Sequence, residues 1–122
     1  MIFERFFLNL QNVGTLSSAE MEAIRSFKER LVGLLGARLK EIRLFGSRAR
    51  GEGDEESDID LLLLVKDLGR EEKSRILDWA CDLSLDTNVR LSPLVMSEDH
   101  FRLLVRRERL LAREIQDQGV SL

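Results

Sequence analysis

The 122-residue sequence contains one cysteine, one proline and one histidine, and each scarcity excludes something. Cys81 has no partner for an internal disulfide. Its place between Ala80 and Leu83 in a helical pattern suits a small buried thiol, with no redox role. His100 has neither a second histidine nor a paired cysteine with which to build a zinc site, and reads as structural. Pro93 lacks the amide donor that a central strand uses, so the strand around it belongs at a sheet edge or bends there. No apolar run approaches the roughly 18–20 residues of a membrane span. The first seven residues are interrupted by charges and carry no cleavage-site pattern, which makes them a poor signal peptide. The expected compartment is the cytoplasm, with no membrane partner. Positive charge is not in excess either: the net charge is −3 and the isoelectric point near 5.3, which weighs against a long nucleic acid as the main partner. Repeats, linkers and low-complexity stretches are missing as well.

What is present is a hydrophobic fraction of 43% and charged residues of both signs at 34%, enough for one soluble domain over residues 1–122. Residues 1–16 form an N-terminal apolar extension. Phe3, Phe6, Phe7 and Leu10 fall at i, i+3, i+4 and i+7, one helical stripe that must cover either its own core or another chain, including a second copy of this one. Ser17 and Glu20 offer a capping box for a helix whose apolar positions are Met21, Ile24, Phe27, Leu31, Leu34 and Leu35 and which stops at Gly36. Glu41–Phe45 alternates polar and apolar residues, as a half-buried strand does. The segment 59–65 carries five apolar residues in a row, Leu61 to Val65, and reads as a central strand buried on both faces. A helix follows with Ile76, Trp79, Ala80 and Leu83 on its inner side, then a strand over Val89–Met96, then a last helix capped by Ser97 and running to near Gly119.

Gly46 and Asp58 are 12 positions apart, too close for an easy helical crossover, so the first two strands should pair antiparallel. The expected architecture is α/β in the α+β sense: a short mixed β-sheet of about three strands flanked by helices.

Residues 46–60 carry the chemistry. Gly46 lets the backbone turn sharply and approach a ligand, and Ser47 can add its hydroxyl to backbone amides around a phosphate. Asp58 and Asp60 lie two apart on a strand, so both carboxylates leave the same face, with Cα atoms roughly 6.5–7 Å apart. Hard oxygen ligands so placed suit Mg²⁺ carrying a triphosphate. Arg48 and Arg50 lie in the turn between, where they can neutralise phosphate charge or stand in solvent.

Gly46-Ser47, ten residues, then Asp58-Ile59-Asp60 leading into an apolar strand resembles the signature of the minimal nucleotidyltransferases, small relatives of the DNA polymerase β catalytic domain. The order of elements fits that family over about residues 20–118. The resemblance implies a polymerase β-like fold and Mg²⁺-dependent transfer of a nucleoside monophosphate from a nucleoside triphosphate, ATP first among them, to a protein or small-molecule hydroxyl. It also implies pairing with a HEPN-domain partner protein in a toxin–antitoxin module. By resemblance, Gly46 and Ser47 would bind phosphate, while Asp58 and Asp60 would bind metal and serve catalysis. The other reading is a degenerate member that binds and regulates a partner protein.

One departure matters. Active members of the family usually place a third acid on the following strand, and here Val89–Val95 holds none. Arg90 and Ser92 share one face there, and a cation at that place would oppose metal binding. Asp86, Glu98 and Asp99 flank the strand and are the candidates for a displaced acid. Arg102, Arg106, Arg109 and Arg113 form a basic stripe along the last helix, read as a solvated face or as a docking surface for an acidic partner or for a nucleotide's phosphates.

Overall fold

The structure is a computed structural model that describes residues 16–46, 48, 58–107 and 110–122. The N-terminal apolar extension apart from Leu16, and also Ser47, Arg50 and Arg109, lie outside the described residues.

Helix α1 (Ser18–Leu35) begins at the expected capping box: Ser17 Oγ accepts from the Glu20 amide at 3.1 Å and Glu20 Oε1 accepts from the Ser17 amide at 2.9 Å. Two of the amides that a helix start leaves orphaned are thereby satisfied. The helix ends at Gly36, whose φ of +57° suits a residue without Cβ. A short 3-10 turn (Gly36–Arg38) leads into β1 (Leu39–Phe45). Strand β2 (Ile59–Val65), helix α2 (Arg70–Thr87), strand β3 (Leu91–Met96), helices α3 (Glu98–Arg106) and α4 (Leu110–Gln118), and the two-residue strand β4 (Val120–Ser121) complete the order.

The sheet runs β3-β2-β1-β4. Strands β1 and β2 pair antiparallel, β2 and β3 parallel, and β1 and β4 antiparallel. The mixed sheet is as expected, with one short strand more than the pattern suggested, and Pro93 does sit on an edge strand. Side chains on a strand alternate between faces, and β2 uses both. Ile59, Leu61, Leu63 and Val65 join α1 and α2 in the larger core, while Leu62 and Leu64 join Phe45, Phe101, Ala112 and Ile115 in a smaller one under α3 and α4. All of β2 from Leu61 to Val65 is buried.

Two expectations are corrected. The last helix is not continuous from Ser97 to Gly119 but divided into α3 and α4. A straight helix of that length would run roughly 30 Å at 1.5 Å per residue, longer than any strand here. Division lets α3 pack on β2 and α4 on β1, covering two neighbouring strands on one face. Cys81, expected to be buried, is exposed. The inward stripe of α2 is Ile76, Ala80 and Leu83, and residue 81 lies a further 100° round the helix from Ala80. His100 is also exposed, in the first turn of α3, where its backbone amide donates to the Ser97 cap at 3.1 Å. Among the described residues no helix is long and apolar enough to cross a membrane.

Candidate nucleotide and metal site

The site lies where β2 begins. Antiparallel pairing sets Phe45 opposite Asp60, so the residue after β1, Gly46, comes against the Asp60 side chain. Gly46 has φ +77°, and a Cβ built there would stand 2.4 Å from Asp60 Oδ2. Glycine is therefore required twice over: the backbone enters the left-handed region, and the carboxylate takes the room a side chain would need.

Asp58 and Asp60 share the face that continues, along β2, into Leu62 and Leu64. Asp58 is exposed and Asp60 half-buried. Burial raises the Asp60 carboxyl above its ordinary value, and the negative charge of Asp58 raises it further. Two oxygen donors that repel each other are what a hard divalent cation would bridge and relieve, so the pair fits Mg²⁺ chemically.

On the other side, parallel pairing sets Ser92 beside Asp60, and the Ile59 amide donates to the Arg90 carbonyl at 2.8 Å. Arg90 Nε lies 3.9 Å from Asp58 Oδ1, both side chains being mostly exposed. The strand position where a third carboxylate was sought thus holds Arg90 and Ser92. Glu98 and Asp99 cannot replace it: they follow β3, whose last residue pairs with Leu64 at the far end of β2. Asp86 is exposed on the last turn of α2. Among the described residues no group of three or more acids, histidines or cysteines is placed to hold a metal.

Arg48 occupies a different place from the one its position in the turn suggested. It is buried, with 1% of its surface exposed. Its two terminal nitrogens each donate at 2.6 Å to an oxygen of Glu20, itself buried. Burial pushes the Glu20 carboxyl up, but the hydrogen bonds from Arg48 and Ser17 and the charge of Arg48 together hold it below its ordinary value. The guanidinium is thus turned into the body of the protein, where it ties the chain just beyond Gly46 to the first turn of α1. The sequence showed Glu20 as a helix cap and Arg48 as a turn cation, but no spacing rule links residues 28 positions apart.

Two cavities lie elsewhere. One of about 370 Å³ lies between α3 and α4, lined by Phe101, Arg102, Val105, Arg106 and Gln116 among others. One of about 720 Å³ lies beside α1, β1 and β4, with Lys28, Val32, Leu39, Ile42 and Leu122 in its wall. Neither is lined by Asp58 or Asp60. In the basic stripe, Arg102 stands 3.9 Å from Glu98 and 3.8 Å from Asp99, local pairs on an exposed face.

Comparison with known proteins places the chain among nucleotidyltransferases. The chain is 41% identical over 76 residues to a candidate protein adenylyltransferase of Methanocaldococcus jannaschii, MJ0141, covering 62% of this chain and 77% of that one. A second candidate protein adenylyltransferase of the same organism, MJ0604, is 38% identical over 82 residues, covering 67% and 78% of the two chains. Among solved structures, a candidate minimal nucleotidyltransferase superposes with a TM-score of 0.50 at 27% identity, covering 83% of this chain and 94% of that one. A chain of a toxin–antitoxin complex with AMP-PNP superposes with a TM-score of 0.52 at 21% identity, covering 79% and 69%, a likeness of fold. The model of the nucleotidyltransferase domain matches residues 22–118, a span that holds the Gly46 turn, both aspartates and every strand but β4, and the chain belongs to that family.

Proposed function

We propose that the chain is a Mg²⁺-dependent nucleotidyltransferase that moves a nucleoside monophosphate from a nucleoside triphosphate to a hydroxyl of a protein or small molecule. The observation that carries this reading is the pair Asp58 and Asp60 at the mouth of β2, with Gly46 closed against Asp60 so that a Cβ there would stand 2.4 Å from Asp60 Oδ2. ATP is the favoured triphosphate, since two relatives at 41% and 38% identity are candidate protein adenylyltransferases. Gly46 and Ser47 would cradle phosphate, with Arg50 adding positive charge from the same turn. Mg²⁺, when bound by Asp58 and Asp60, would neutralise the triphosphate and stabilise the departing pyrophosphate. By its family likeness the acceptor protein would be a HEPN-domain partner, with this chain as the antitoxin of the pair.

Calorimetric titration of ATP with Mg²⁺ tests the reading, with Asp58→Ala/Asp60→Ala as the control. Metal-dependent binding that disappears in the double variant is the expected result. No binding of ATP, GTP, CTP or UTP would sink it. A second reading, a degenerate module that binds and regulates a partner protein, is favoured by one observation: Arg90 and Ser92 stand where a third carboxylate would act as general base. Loss of such a base typically costs a factor of about 10² to 10⁴ in rate.

A further inference from the structure

Two-metal phosphoryl-transfer sites hold their cations roughly 3.5–4 Å apart. Such a pair carries four positive charges, which the triphosphate oxygens and the protein carboxylates share between them. At the start of β2 the two carboxylates among the described residues turn to different sides. Asp60 leans toward β1, its Oδ2 in the space beside Gly46. Asp58 faces β3, its Oδ1 3.9 Å from Arg90 Nε. Ser92, directly beside Asp60 in the parallel register, offers a neutral hydroxyl. The Arg90 guanidinium, exposed beside Asp58, puts a positive charge on the β3 side that repels a cation there, with solvent screening part of it. Nothing comparable stands on the β1 side among the described residues.

We infer that this site takes one divalent cation with its nucleotide rather than two, and that Arg90 occupies the place where the second would need a carboxylate. The inference rests on the nucleotidyltransferase reading and deepens it. Arg90 is then a specificity-determining residue for metal stoichiometry: its charge substitutes for the missing cation on the β3 side of the triphosphate.

The test is equilibrium dialysis of the full chain against excess Mn²⁺ and α,β-methylene ATP, counting protein-bound Mn²⁺ per bound nucleotide. One Mn²⁺ per nucleotide is expected for the wild type, and two for Arg90→Ala/Ser92→Asp, which removes the cation and restores an acid beside Asp60. Both side chains are exposed at the start of an edge strand, and an unchanged thermal midpoint by circular dichroism shows that the variant folds. Two Mn²⁺ bound to the wild type overturn the inference, with the extra ligand then coming from outside the described residues. One Mn²⁺ in both proteins overturns the assignment to Arg90 and Ser92. No nucleotide bound by either overturns the nucleotidyltransferase reading itself, and a count of zero cannot be confused with a count of two.

Discussion

At the scale of single residues, the most consequential placement is that of Arg48. A turn cation close to a phosphate cradle and a buried strut both fit the same local sequence, because nothing around Arg48 announces its partner. The structure shows the strut: a bidentate pair with Glu20, 1% and 6% exposed at the side chains. Removing one member of a buried pair leaves the other charged and uncompensated, at a cost of about 3–5 kcal/mol. Arg48→Met is therefore expected to lose stability of that order in urea unfolding. Glu20→Gln/Arg48→Met should recover most of it, because glutamine keeps the capping box and the pair is neutralised together. A phosphate ligand would behave in the opposite way, with unchanged unfolding and weakened ATP binding in the single variant. By contrast, the closeness of Gly46 to Asp60 was legible from spacing, because it follows from antiparallel pairing within 15 residues, whereas the Glu20–Arg48 pair depends on how α1 is laid across the sheet.

Among the elements, those governed by local rules were legible and those governed by packing were not. The capping box of α1, the cap of α3, the antiparallel β1–β2 pair and the edge position of β3 each follow from a few neighbouring residues. The division of the last helix and the outward turn of Cys81 follow from what the helices must cover, which no window of sequence contains. A tie between elements shows the same limit. Arg38, in the turn before β1, donates to both oxygens of Glu72 in the first turn of α2, one contact being 2.9 Å. The hydrogen bond from Arg38, with a further one from the Gly69 amide, holds the Glu72 carboxyl down at about 2, against an ordinary value of 4.5. A carboxyl with a lowered folded-state value stabilises the fold above its unfolded value and loses that contribution as pH falls. Glu72→Gln should therefore melt below the wild type at pH 7. The gap should narrow as pH falls from about 4.5 toward 2 and close there. Melting curves collected across that range check the sign, and a gap that widened on acidification would assign the tie to something other than charge.

For the molecule as a whole, the sheet is covered on both faces along β2 from Leu61 onward; at its start Ile59 is still buried on one face, and the other face, left open, is where the two acids stand. Folding gains from every apolar position of β2 and is opposed at Asp60, which is half-buried beside a second negative charge. Sites that serve ligands are often kept at such a cost to the empty fold. Asp58→Asn/Asp60→Asn preserves shape and removes the repulsion. In metal-free buffer it should melt above the wild type, by a few tenths to about 1 kcal/mol once solvent screening is allowed for. Adding Mg²⁺ with ATP should reverse the order, because a ligand that binds only the folded state stabilises it by mass action, about 2.7 kcal/mol at a hundredfold excess over Kd. The wild type would then rise while the variant stays where it was. Thermal melts of both proteins, with and without Mg²⁺ and ATP, give all four values. A variant that melts lower in metal-free buffer would mean that the aspartates hold the end of β2 together through their neighbours, rather than waiting for a cation to do so.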